Sequence, residues 1–427
     1  MRSQRLRIVV TGLIAQHPTL GGVAWDYAAY PAALRRMGHD AYYLEDSGEW
    51  PYNLNGGPSG QDWVARDPSA NLRRLAEVME RFDLGDRWAY RFPLADRWYG
   101  MSDARRGEVL GSADLLINVS GTLERPEQYR RATRLAYIDS DPVFTQIKWM
   151  LDDERGEFRR RVDAHDVHFT FGERLGASVP DTGHTWVPTR QPIVIDEWRT
   201  DGSYRDVYTT VMSWTSYQPL RYRSQTFAQK DVEFRRFVRL PGLVPSGTFE
   251  VALHATEHVS WESVDRSESE DGVPVEAAPV RVSAREQLTA AGWRVVDPHH
   301  ACGDLDGYRA YVQTSKGEWS VAKNGYVAGN PGWFSCRSAC YLAAGRPVII
   351  QDTGIRDLFP AGEGLMVFTT LQEAIDAVAD VEARYPTHAR RAREIAHAYF
   401  AHEPVLNRLI ADAMNPVTEP RRTRVIA

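Results

Sequence analysis

The sequence predicts an α/β protein of two doubly wound, Rossmann-like domains facing a central cleft, and three observations carry that prediction. Its 427 residues exceed what one hydrophobic core usually serves. Short apolar strands alternate with helical stretches in both halves, the pattern of parallel sheets. Between the halves, Val179 to Arg205 is rich in Pro, Asp, Thr and Gly and reads as a connection. The expected division is an N-terminal domain over 1–195, a C-terminal domain over 205–400, a helix over 401–415 crossing back, and a disordered tail over 416–427.

In the first half, Ile8-Val9-Val10 form a strand that breaks at Gly12, and a loop with Gly21-Gly22 leads into a helix ending near Gly38. Ala41 to Leu44 is the next strand. Ser69 is placed to cap a helix whose Leu72, Leu75, Met79 and Phe82 recur at helical spacing. Leu115-Leu116-Ile117, Leu135 to Ile138 and Val167-His168-Phe169 read as buried strands ending in small or polar residues. In the second half, Tyr208 to Trp214 is a strand, Lys230 to Val238 a helix and Phe249 to Leu253 a strand. Residues 254–280 are a polar, acidic surface excursion. Ser283 with Glu286, and Thr370 with Glu373, have capping-box spacing. Trp293 to Val296 and Pro347 to Ile350 are strands, Ser335 to Ala344 is a helix stopped by Gly345, and two helices follow Thr387.

Composition narrows the partners. A net charge of -6 argues against nucleic acid, which needs a concentrated positive field. Only four lysines, Lys148, Lys230, Lys316 and Lys323, stand among 51 basic residues, and their scarcity singles them out. Cys302, Cys336 and Cys340 are too few for a disulfide framework or structural zinc, and Cys336 and Cys340 read as packing residues. No run reaches the ~18 apolar residues of a membrane helix, and none resembles a signal segment, so a soluble cytoplasmic protein is expected.

The chemistry concentrates after Gly329-Asn330-Pro331-Gly332, where a small-residue loop feeds the Ser335–Ala344 helix. The unpaired amides of that helix end suit a diphosphate. Ser335 and Ser338 add hydroxyls, and Arg337 adds a planar fork. Gln351-Asp352-Thr353-Gly354 closes the next strand with groups suited to sugar hydroxyls.

This block resembles the donor-binding region of GT-B glycosyltransferases, closest to bacterial proteins of the family 1-like group. The matching residues include Gly332, Trp333, Phe334, Ser335, Arg337, Ser338, Tyr341, Leu342, Gly345, Pro347 and Gln351 to Gly354. Gly362-Glu363-Gly364-Leu365, Gln229 to Phe234 and Ile138 to Pro142 fit the same group. The resemblance implies transfer of a sugar from a nucleotide diphosphate donor, UDP among the candidates; the aromatic-rich acceptor side and the arginine-heavy, GC-rich bias point to a small natural-product or saccharide acceptor. No metal motif is visible in the sequence, so no cofactor and no obligatory metal are expected. Two glutamates that retaining members place eight residues apart correspond here to Gly332 and Cys340, and the histidine-rich signature of plant-type inverting members is missing. Stereochemistry therefore does not carry over.

For the departing diphosphate the candidates are Ser335, Arg337, Ser338 and Lys230. The resemblance puts a phosphate-binding base near Lys230, and a solvated helix residue is the other reading. Lys323, Asp352, Thr353, Glu318 and Glu363 are candidates for donor ribose or sugar, the two glutamates on the resemblance alone. His17, Asp139 and Asp141 are candidate catalytic bases; a lone loop histidine such as His17 is more often structural, and the aspartates read also as acceptor ligands or helix caps. Gly21, Gly22 and Trp25 belong to the expected acceptor-side loop, where Trp25, Tyr27, Tyr30, Trp50 and Tyr52 form either a stacking platform or core. A nucleotide-sugar epimerase and a non-catalytic nucleotide-sugar-binding protein are the alternatives, and a monomer or homodimer is expected.

Overall fold

The computed structural model describes residues 5–54, 63–176, 178–254 and 283–415. The acidic excursion (beyond His254) and the tail after Asn415 lie outside the described residues. The first sheet comprises β1 (Arg7–Thr11), β2 (Asp40–Glu45), β3 (Trp88–Phe92), β4 (Arg97–Gly100), β5 (Leu115–Val119), β6 (Arg134–Asp139), β7 (Val167–Thr170) and β8 (Trp186–Pro188). Their order is β4-β3-β2-β1-β5-β6-β7-β8, and every pairing is parallel except β3 with β4. Ile8, Val10 and Leu115 to Ile117 are fully buried. Helices cover both faces of a parallel sheet, which is why these strands are continuously apolar.

The second half contains β9 (Tyr208–Ser213), β10 (Leu220–Tyr222), β11 (Gln225–Phe227), β12 (Phe249–His254), β13 (Arg294–Val296), β14 (Gly317–Ser320), β15 (Val348–Gln351) and β16 (Leu365–Phe368). Six form a parallel sheet in the order β13-β12-β9-β14-β15-β16, while β10 and β11 make an antiparallel hairpin. Strand order reverses between β1 and β5 in one sheet and between β9 and β14 in the other. Ligands of open α/β sheets bind beyond the carboxyl ends of strands at such reversals.

Both capping boxes form: Ser283 and Glu286 exchange bonds at the Ala284–Ala290 helix, and Thr370 and Glu373 at Leu371–Ala383. Ser69 does not cap its helix. Pro68 holds the N-cap position, and the Ser69 hydroxyl instead donates to Asp67 Oδ1 at 2.7 Å. The two halves are stitched together by backbone. Ile193 N donates to Phe400 O at 2.7 Å and His402 N to Ile193 O at 3.1 Å, which ties the His402–Met414 helix to the first half. Arg174 N donates to Pro331 O at 2.7 Å. One hydrophobic cluster runs from Leu6 through Phe334 and Phe400 to Ala413.

Candidate active site

The reversal in the second sheet places two loops side by side, one after β9 carrying Tyr217 and one after β14 carrying Lys323. Lys323 Nζ donates to Asp141 Oδ1 at 2.9 Å and to Tyr217 OH at 3.1 Å. The hydroxyls of Tyr217 and Tyr326 also donate to Asp141. Burial pushes the Asp141 carboxyl up, but Lys323 and the two tyrosines outweigh it, and its pKa lies below the usual value. Lys148, on the Phe144–Leu151 helix, sits 4.1 Å from the centroid of the Tyr217 ring. Asp141 thus lies two residues beyond β6 of the first sheet and is clamped by groups of the second half.

Lys230 begins the Lys230–Phe234 helix and is half-buried. Among the described residues it makes no hydrogen bond and no ion pair. Burial, then the nearby charges of Arg337 and Lys323, hold its ammonium well below the ordinary lysine pKa. The neighbouring carboxylate of Glu233 does not reach it, being occupied by Asn324 Nδ2 at 2.8 Å, Gln351 Nε2 at 2.5 Å and Arg236 Nη1 at 2.7 Å.

Arg337 is pinned inside the protein. Its Nε donates to Glu318 Oε1 at 2.6 Å, Nη1 to Val211 O at 2.9 Å and Nη2 to Ser320 Oγ at 3.0 Å. The Glu318 side chain is fully buried, and its Oε2 has no partner among the described residues. The expected ribose ligand Glu318 is therefore the counter-ion of the expected phosphate ligand Arg337. Ser335 occupies the N-cap of the Cys336–Ala343 helix without using its hydroxyl on the backbone, and Ser338 Oγ is buried and unpaired. The first-turn amides of a helix have no intrahelical acceptor, so this end, with the Ser335 and Ser338 hydroxyls and with Lys230 near enough to feel the Arg337 charge, is the candidate anion cradle.

Three sugar-side candidates are otherwise engaged. Asp352 Oδ1 accepts from the amides of Gly354 at 2.9 Å and Ile355 at 3.0 Å, shaping the turn after β15. Thr353 Oγ1 donates to Trp333 O at 2.6 Å. Glu363 lies before the first residue of β16, at the edge away from the carboxyl ends, and pairs with Arg384 at 2.8 Å. It stands apart from the cradle.

Of the base candidates, Asp139 is scaffold. Its oxygens accept from Asp141 N at 3.0 Å, Thr145 Oγ1 at 2.7 Å, Gln146 Nε2 at 2.9 Å and Thr170 Oγ1 at 2.9 Å, leaving no free lone pair pointed at a substrate. Burial raises its pKa to about 6. His17 follows β1, stacks on Tyr52 with centroids 4.9 Å apart, and is lowered to about 4 by burial and then by His254 at the end of β12. That coupling sets the β1 loop beside the second sheet.

The expected acceptor loop is corrected. Gly21 starts the Gly21–Arg36 helix and meets the second half directly: a Cβ there would lie 2.0 Å from Asp304 O, and at Gly22 one would lie 2.9 Å from the Tyr308 ring. Trp25 is buried with its Nε1 donating to Leu305 O at 2.8 Å, so it joins the halves rather than receiving a ligand. Tyr27 and Tyr30 are buried too, whereas Trp50 and Tyr52 are 63% and 44% exposed. Only the latter pair can serve as a platform. Backbone atoms cannot yield as a side-chain tip can, so Gly21→Ala is expected to cost about 1–3 kcal/mol by forcing the two halves apart. A denaturant melt matching the parent would remove that contact from the account.

The sequence reading noted Lys148 without giving it a role and passed over Tyr217, Tyr326 and Asp26. Asp26 faces the second half from the Gly21–Arg36 helix, receives the Cys336 thiol, and is raised to about 6 by burial. Lys148 carried a signal in the scarcity of lysine; the others carried none.

The chain matches no protein-family model. A phosphoribosylamine–glycine ligase of Brucella melitensis is 28% identical over 102 residues, which is 24% of this chain and 22% of that enzyme. The chain thus aligns with about a fifth of that relative's length. Solved structures align far more fully. Anabaena HepE in complex with UDP and glucose superposes over 97% of this chain and 100% of its own, with TM-score 0.52 and 11% identity. An alpha-glucosyltransferase in complex with UDP covers 96% of this chain and 100% of its own, with TM-score 0.50 and 10% identity. The fold is that of the GT-B glycosyltransferases. Among the described residues no helix is long and apolar enough to cross a membrane.

Proposed function

We propose that the cradle takes the diphosphate of a nucleotide sugar, and that the protein transfers the glycosyl group to a hydroxyl or amine of a small acceptor. The observation that carries this reading is Lys230, a half-buried lysine whose side chain has no hydrogen bond or ion pair among the described residues and which feels the charge of Arg337 on the Cys336–Ala343 helix. As the bond from the sugar C1 to the diphosphate breaks, negative charge grows on the leaving oxygen. A preorganised ammonium and helix amides stabilise it without reorganising. Arg337 acts one step back, its guanidinium adding positive field while Glu318 fixes its orientation. His17 is the acceptor-side base in this reading: it is neutral at pH 7, and burial, then His254, lower its pKa to about 4, which makes it a weaker base than an ordinary imidazole until bound substrate changes that environment. Trp50 and Tyr52 offer rings for the acceptor beside it.

Solved proteins of this fold hold UDP, which makes UDP the first donor nucleotide to try. Calorimetric titration of the full chain with UDP, GDP, dTDP and ADP is expected to give one preferred nucleotide, UDP. Binding by none of the four would remove the nucleotide-sugar reading.

A further inference from the structure

At the other end of the Cys336–Ala343 helix, about 12 Å from the cradle at 1.5 Å per residue, lies an open crevice of about 860 Å³. Gly345, Arg346 and Tyr385 form its inner wall, and Arg390, Arg393 and Glu394 line it from the Tyr385–Phe400 helix. Arg346 is only 2% exposed, and among the described residues its guanidinium donates hydrogen bonds to neutral acceptors, Gln313 O at 2.9 Å, Tyr385 OH at 3.3 Å and Ser203 O at 2.5 Å, with the Asp201 carboxylate near enough to feel its charge. Arg393 has neither hydrogen bond nor ion pair among the described residues. Gly345 leaves space for it, since a Cβ there would sit 3.2 Å from Arg393 Nη2. Arg390 is 3.8 Å from Glu394, a carboxylate already bonded by Arg391 at 2.5 Å.

Three arginines therefore line one crevice, where Arg390 shares Glu394 with Arg391, Arg346 has Asp201 as its nearby charge, and Arg393 has no ion pair among the described residues. Like charges one turn apart repel, and Arg390 and Arg393 are so spaced. A bound anion would relieve that repulsion. We propose that this crevice is a second ligand site, separate from the cradle, and that it binds a phosphate monoester of sugar-phosphate size. Arginine forks match phosphate oxygens in pairs, and the volume falls in the range of small-molecule sites. The Tyr385 ring gives a flat wall for the sugar. The assignment does not depend on what the cradle binds.

The test is calorimetric titration of the full chain with glucose 6-phosphate and with inorganic phosphate, on the parent protein, Lys230→Ala and the double variant Arg390→Ala/Arg393→Ala. Arg390 is 64% exposed, and a melting curve matching the parent verifies that the double variant folds. The expected result is glucose 6-phosphate binding that is equal in the parent and Lys230→Ala, and at least tenfold weaker in the double variant. Binding unchanged in the double variant, or lost in Lys230→Ala, would overturn the site. Inorganic phosphate binding as tightly as the sugar phosphate would overturn the monoester assignment.

Discussion

Replacing Lys230 by alanine is expected to weaken nucleoside diphosphate binding roughly ten- to hundredfold while leaving the melting temperature unchanged or higher. A charge-assisted hydrogen bond to phosphate contributes about 1.5–3 kcal/mol, and one such bond is removed. Stability should not fall, because among the described residues the Lys230 side chain makes no hydrogen bond or ion pair to lose, and the pull of Glu318 is outweighed by burial, Arg337 and Lys323. Its pKa in the folded protein lies well below the ordinary value, through burial first and then Arg337 and Lys323. Between that lowered value and the unfolded one, the unfolded chain binds more protons than the folded chain. Stability therefore rises with pH through this window, and the charged form of Lys230 opposes folding below it. Calorimetry with UDP and a thermal melt on the same preparation check both halves. Undiminished binding would place the diphosphate elsewhere, and a marked fall in melting temperature would make Lys230 a structural residue.

The parallel sheets were legible because buried strands spell themselves out: Ile8-Val9-Val10 and Val348-Ile349-Ile350 leave no polar position for solvent. β14 escaped for the opposite reason. Gly317-Glu318-Trp319-Ser320 sets polar groups in a central strand, tolerable only because Arg337 returns 19 residues later to meet Glu318 and Ser320. β3 hides in the same way, since its Arg91 is balanced by Asp46, by Asp96 at 2.9 Å and by Glu124 at 2.5 Å. Residue type at the site was easier to read than role. Asp139 and Asp141 do stand at a strand end beside the cleft, but their partners (Thr170 for one, Lys323 and Tyr326 for the other) come from distant parts of the chain. Trp25 shows the limit most clearly. A loop aromatic beside two glycines suits a sugar platform, and it is distant residues, the rings of Phe82 and Trp198 and the carbonyl of Leu305, 280 residues away, that make it core.

Arg337→Ala should separate from Lys230→Ala in the property it damages. It is expected to cost about 3–5 kcal/mol of stability, because removing one member of a buried ion pair strands the other. Here the stranded group is Glu318, fully buried, with one oxygen already lacking a partner. The decisive comparison is the double variant Arg337→Ala/Glu318→Gln, which removes the stranded charge and should recover most of the loss in a urea melt. Under the sequence expectation, in which Arg337 itself grips the diphosphate, the single variant would melt like the parent and lose the nucleotide. Under the geometry seen here, nucleotide binding in the refolded double variant should persist at reduced strength, since Lys230, Ser335, Ser338 and the helix amides remain. A single variant with parental stability and no UDP binding would reverse the assignment, returning Arg337 to direct contact and making Lys230 the accessory charge.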